Sequence, residues 1–373
     1  MLDPRMTVLA KQVINYSVHL QKGEKVLIDA WDECYDLAGE LMKAAYEAGA
    51  LPFLSLKSTP LTRTMILGCT EESMAAWADY EDHRMKEMDA YVVIRKQHNS
   101  KEYIDIPREK MNIYNHYHGK VHYGTRIPNT KWCVLRYPSP SMAQAASMST
   151  EAFEDYYFRV CCIDYKKMNE IVTPLNERLK KAEQVRITGP GTDITFSIKG
   201  QAPKEPICGI FNIPCGEIGF PVIPDSANGT ISYNMPSNFQ GFVFHDISFT
   251  LKDGVIVKAV SNNTSLMNQI LDSDPNARRI GEFALGFHPF VTEPILDTLF
   301  DEKMVMSLHF TPGNSPINPC SIHWDIVTSH APEFGGGEIW LDGELIRKDG
   351  LFLPEDLLPI NPESMKKEIA PPF

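Results

Sequence analysis

No stretch of this chain stays apolar over the roughly 20 residues that a bilayer-spanning helix needs, and Met1 to Leu20 lacks the basic start, apolar centre and small-residue cleavage site of a secretory signal. A cytoplasmic protein is therefore expected. Cys-x-x-Cys pairs and regular cysteine spacing are also missing. Cys34, Cys69, Cys133, Cys161, Cys162, Cys208, Cys215 and Cys320 are scattered, and in a reducing compartment they read as small apolar fillers. Cys215 and Cys320 stand apart, because they adjoin the acidic and imidazole segments described below, where a thiolate is placed to ligate a metal or to be oxidised. No Gly-x-Gly-x-x-Gly or phosphate-loop pattern follows any strand-like run, which leaves nucleotide binding without support. Basic residues are too few for a nucleic-acid or anionic-membrane partner, since the formal net charge is -12. Internal repeats and low-complexity linkers are absent too, so closely packed domains are expected.

What is present is enough chain for two domains: 373 residues, 43% of them hydrophobic. In the N-terminal half, Lys25 to Ala30 is a short apolar run, followed by Leu37, Leu41, Ala44, Ala45 and Ala48 at helical spacing and a stop at Gly49. Leu51 to Leu56 is the next strand, giving a β-α-β unit with short connections and hence a parallel sheet. Thr59-Pro60 offers an N-cap and first-turn proline, Ser73 to Met88 reads as a helix, and Ala90 to Arg95 and Trp132 to Tyr137 extend the sheet. Asn115 to Tyr123 carries three histidines among tyrosine and glycine without a local carboxylate, and reads as a solvated or interface loop. From Ser149 or Thr150 a long helical region is expected to about Gln184, interrupted at Pro174.

After Val185 the pattern becomes strand-like. Ile194, Phe196 and Ile198 alternate with polar residues, and hairpins are predicted across Lys252-Asp253-Gly254 and Asp342-Gly343. The expected organisation is an α/β domain with a mostly parallel sheet over 1–185, then a mainly antiparallel β (α+β) domain over 186–373. Three segments of the second half set acidic and imidazole groups in unusual contexts. Glu217 follows a Pro and Gly turn in Asn212 to Glu217, Glu282 is embedded in Ile280-Gly281-Glu282-Phe283-Ala284-Leu285-Gly286, and Leu299 to Val327 holds Asp301, Glu302, His309, His323 and Asp325. A carboxylate among apolar and small residues is costly to bury unless a cation compensates it, and either Arg279 or a metal would serve. In Ser321 to Val327, strand alternation places His323 and Asp325 on one side and Ile322, Trp324 and Ile326 on the other.

These segments, Asn-Ile-Pro-x-Gly-Glu, Gly-Glu-Phe-Ala-Leu-Gly, Phe-Asp-Glu-Lys and Ser-Ile-His-Trp-Asp in that order, resemble the thermophilic aminopeptidase family of metallopeptidases. The resemblance extends over nearly the whole chain. It implies metal ligation by Glu217, Glu282, His309, His323 and Asp325, with Glu302 as a sixth candidate. Carboxylate and imidazole ligands suit two divalent ions such as zinc, cobalt or manganese. The implied reaction is hydrolysis of an N-terminal peptide bond by metal-activated water, with Glu217 and Glu282 as catalytic carboxylates, a small peptide as substrate and a homodimer as the assembly. This chain departs from the family in having Pro316 where a tyrosine stands seven residues after the histidine matching His309, in reading Gly219-Phe220-Pro221-Val222 after the Glu217 motif, and in carrying His288 near Glu282. Tyr117, Tyr123 and Tyr233 are candidates to replace the missing phenol. A second reading follows from those departures: a ferrous-iron ring-cleaving dioxygenase, resembling 2,5-dihydroxypyridine 5,6-dioxygenase, with one iron on His309, His323 and Asp325. A third is a catalytically silent metal-binding or interaction protein.

Overall fold

Lys25–Trp31, Leu51–Lys57, Ala90–Lys96 and Lys131–Tyr137, the apolar runs of the N-terminal half, form parallel strands in a computed structural model that describes residues 3–203 and 208–373. Across the sheet the order is Leu51–Lys57, Lys25–Trp31, Ala90–Lys96, Lys131–Tyr137 and then Phe211–Ile213, a short strand contributed from much later in the chain. Alternation along the strands turns Leu27, Trp31, Tyr91 and Val93 to one face, where they pack against Ala78, Met85 and Val121 of the covering helices and Met88 in the connection that follows one of them. The helix Tyr35–Glu47 buries Leu37, Leu41, Ala44 and Ala45, the stripe its spacing predicts.

Several local expectations are corrected. Ser58, rather than Thr59, caps the helix Thr59–Gly68, and Pro60 lies in its first turn. The three-histidine segment is no loop: it belongs to the helix Arg108–Val121 and the wide turn His122–Arg126. The long helical region breaks at Cys162 to Asp164, not at Pro174, leaving the helices Thr150–Cys161 and Tyr165–Lys181. Pro174 sits inside the second helix.

Two compact units result. One comprises Met1–Cys162 with Gly209–Ile213 and Pro372–Phe373, the other Ile163–Cys208 and Pro214–Pro371. The helix Tyr165–Lys181 lies in the second unit, burying Met168, Val172, Leu175 and Leu179 while Arg178 pairs with Glu344 and Asp356.

The second unit is built on antiparallel pairs. Its larger sheet has eight strands, among them the hairpins Ile247–Lys252 with Val255–Val260 and Glu338–Leu341 with Glu344–Lys348. Its smaller sheet runs Asn318–His323, Ser307–Ser315, Ile280–Gly286, Glu217–Pro221, with Val327–Ser329 also pairing Ser307–Ser315. The two sheets meet face to face through Phe196 of the larger one, whose ring lies 5.0 Å from Phe283 and 4.8 Å from Phe310. That contact fixes which side of the smaller sheet is core. The other side carries the acidic and imidazole groups.

Candidate metal centre

Register and pleat place these groups together. Glu217 pairs with Gly286, Ala284 with both Gly219 and His309, and Glu282 with Thr311 and Pro221, so Glu217, Glu282 and His309 stand on one face of three adjacent strands. Phe220, Phe283, Leu285, Leu308 and Phe310 point the other way and are fully buried. Small residues leave room between the functional side chains. At Gly219 a Cβ would lie 1.9 Å from Glu282 Oε1, so only glycine lets that carboxylate cross the neighbouring strand.

The fourth strand ends at His323, one residue before Trp324, and Asp325 follows in an irregular connection. The expected strand through Val327 is therefore broken, yet the two residues still face the same way. Trp324 explains why: it is buried, stacks on Phe239 at 4.6 Å and donates its indole N–H to Ser237 Oγ at 2.9 Å. With the indole anchored inward, the flanking imidazole and carboxylate turn out to the site.

One ligand atom each from Glu282, His309 and Asp325 lies within 4.8 Å of the other two. His309 Nε2 is 3.5 Å from Glu217 Oε2 and 3.9 Å from Asp325 Oδ1, while His323 Nε2 is 3.1 Å from Asp325 Oδ1 and 3.4 Å from Glu282 Oε2. Ligand atoms about 2.0–2.2 Å from a shared ion stand at such separations. His323 Nδ1 lies 2.9 Å from Asn314 O, a bond that assigns the proton to Nδ1 and leaves Nε2 as the lone pair turned to the carboxylates. The buried Glu217 Oε2 has no hydrogen-bond partner among the described residues. Oxygen and imidazole donors around a common gap, with an acceptor left open, fit a divalent metal.

Electrostatics agree with a cation-binding cluster. Burial pushes the Glu282 carboxyl up, and the nearby imidazoles only partly oppose this. Burial acts against ionised Asp325 as well, but His323 and His309 hold it below the usual carboxylate range. His323 is driven up despite burial by Asp325 and Glu282.

Glu302 is placed differently. It is buried beside Lys303, whose ammonium pairs with both Glu302 Oε1 and Glu217 Oε1, and it is not one of the three residues that converge on one point. Lys303 is fully buried, and although burial opposes its charge the two glutamates raise its pKa. The sequence reading took this lysine only as part of a motif. The signal was there in outline, as the one basic residue in the acidic stretch between Leu299 and His309.

The remaining candidates lie outside the cluster. Asp301 is buried and accepts from Ile295 N at 2.7 Å, bracing its own loop. His288 is buried with its ring nitrogen accepting from Phe290 N at 3.3 Å. Cys320 faces Asp274, which pushes its thiol up in concert with burial. Pro316 sits at the tip of the tight hairpin joining Ser307–Ser315 to Asn318–His323, and Ser315 pairs with Asn318 beneath it. Tyr233 is buried and donates its hydroxyl to Phe310 O at 2.8 Å, so its phenol is committed to the backbone.

A parallel α/β unit together with an antiparallel β unit that carries a convergent carboxylate and imidazole set has the character of a metallohydrolase. The chain belongs to the thermophilic metalloprotease (M29) family, whose model matches residues 2–330. Aminopeptidase 2 of Geobacillus stearothermophilus is 25% identical over 80% of this chain and 81% of its own length. Aminopeptidase T of Thermus aquaticus is 22% identical over 81% of this chain and 83% of its own. Wild-type AmpT from Thermus thermophilus shares the fold, with a TM-score of 0.78 at 20% identity over 95% of this chain and 100% of that one. The protein is thus a peptidase of the metal-dependent hydrolase class, and its family implies a divalent metal. The ring-cleaving reading is not favoured by these relationships.

Proposed function

We propose that this protein is a metallo-aminopeptidase that removes N-terminal residues from small peptides at the face of the smaller sheet. The observation that carries the reading is the convergence of Glu282, His309 and Asp325 on one point, with His323 against two of them. These four residues are the proposed ligands, with zinc, cobalt or manganese as candidate ions. When bound, such an ion lowers the pKa of an attached water towards 7 and polarises the scissile carbonyl. Glu217 supports the reaction from the side: Oε1 is held by Lys303, while Oε2 is open and serves as the proton carrier. Thr311 fixes Asp325 by donating its hydroxyl to Oδ1 at 2.8 Å.

The test is release of free leucine from a leucyl aryl-amide by protein supplied with each of the three ions. Glu282→Gln is expected to lower kcat/KM by at least about a hundredfold with little change in thermal midpoint. If the unmutated protein releases no amino acid with any of the ions, the aminopeptidase reading is wrong.

A homodimer in the cytoplasm is proposed with it. Among the described residues no disulfide forms, in keeping with a reducing compartment, and no helix is long and apolar enough to cross a membrane. Leu51, Phe53, Leu54 and Leu56 are exposed along an unpaired sheet edge, a surface suited to a second copy. Light scattering that gives the monomer mass at micromolar concentration would contradict the dimer, and cell fractionation tests the location.

A further inference from the structure

Lys303 is the charged residue most completely withdrawn from solvent at the site, and its position bears on how many ions the site accepts. Its side chain is 0% exposed, and its Nζ is shared between Glu217 Oε1 and Glu302 Oε1, whose side chains are 20% and 10% exposed. The backbone holds the residue in place: Lys303 N donates to Phe300 O at 2.9 Å, and Lys303 O accepts from His288 N at 2.9 Å. Neighbouring packing therefore fixes the lysine on both sides.

The consequence is a partition of the acidic groups. Glu217 and Glu302 direct an oxygen each to the ammonium, while Glu282, His309 and Asp325 converge on one point, and the other oxygen of Glu217 lies 3.5 Å from His309 Nε2 beside it. A second divalent ion on Glu217 and Glu302 would have to sit against a fixed positive charge in a poorly screened interior, where like charges repel strongly. The oxygens it would need already contact an ammonium.

We propose that the Lys303 ammonium stands in for a second metal, so that each chain binds one divalent ion, on Glu282, His309, Asp325 and His323, while Glu217 and Glu302 serve as partners of Lys303. This rests on the metallopeptidase reading of the site and narrows it. Lys303 acts as a positioning residue: it holds Glu217 with Oε1 fixed and leaves Oε2 on the side of His309, 3.5 Å from its Nε2.

The experiment is a metal count on the full chain after chelation and reloading with Mn²⁺ or Zn²⁺, by elemental analysis and calorimetry. One ion per chain is expected. Two ions per chain would overturn the Lys303 proposal and leave the metallopeptidase reading standing, whereas no bound ion would overturn both. Lys303→Met keeps the apolar stem and removes the charge, and is expected to raise the count to two. A folded variant that still binds one ion would count against the proposal. Should that variant not fold, electron paramagnetic resonance of the unmutated protein saturated with Mn²⁺ decides independently. An isolated six-line spectrum is expected, and a spin-coupled pair, as for ions roughly 3.5–4 Å apart, would overturn the proposal.

Discussion

His323 and Asp325 meet at 3.1 Å, Nε2 to Oδ1, across a tryptophan that points the opposite way. The pair depends on two outer supports, the Asn314 carbonyl at His323 Nδ1 and the Thr311 hydroxyl at Asp325 Oδ1. Supports of this kind set the tautomer and aim of a ligand, and their loss typically costs 10- to 100-fold in metal affinity. Thr311→Val removes one of them without touching a proposed ligand. It is expected to weaken divalent-ion binding by about tenfold or more in calorimetry. An unchanged affinity would mean that Asp325 does not hold the ion.

Gly219 and Glu282 are coupled by space rather than by a bond. The Cβ of Gly219→Ala would fall 1.9 Å from Glu282 Oε1 and 3.4 Å from the Ala284 Cβ, so the carboxylate must swing aside while the strands keep their pairing. Replacing glycine by alanine also restricts the unfolded chain, which offsets part of any lost stability. The expected signature is a separation of two readouts: metal affinity and peptidase activity fall about tenfold or more, while the thermal midpoint of the metal-free protein moves by no more than a few degrees. If both collapse together, Gly219 is needed for folding and not for clearance at the site.

Much of this was legible in the sequence, for physical reasons. Ile280-Gly281-Glu282-Phe283-Ala284-Leu285-Gly286 alternates because one side of the strand meets Phe196 in the core while the other carries Glu282 with small neighbours. The first four parallel strands were legible because each is a short apolar run between helical patterns. What escaped depends on distant partners. Phe211–Ile213 has only three residues and becomes a strand by docking on Lys131–Tyr137. Arg108–Val121 buries little beyond Val121, so no apolar stripe announces the helix. Lys303 follows two acids in the sequence, and one of its partners, Glu217, lies 86 positions away. A local pattern carries no trace of such a pairing.

The histidine-rich segment from His116 to His122 is expected to make the first unit acid-sensitive. Burial, with Arg126, His122 and other cations adding to it, lowers His118 to about 3 from an ordinary 6.5, and burial with Arg126 likewise lowers His122 to about 4. The ring of His118 stacks on Trp77 at 6.1 Å and on Tyr114 at 5.4 Å, and this packing keeps water from it. A folded-state pKa below the unfolded value means that the unfolded chain binds more protons between the two. Stability is then complete above about 6.5 and declines as pH falls towards 3. For His118 alone the loss between pH 7 and pH 5 is on the order of 2 kcal/mol. Denaturant midpoints at those two pH values measure it, and His118→Gln, which cannot titrate, is expected to narrow the gap between them. If the gap in the variant matches that of the unmutated protein, His118 is not the group that charges, and the acid sensitivity belongs to other residues.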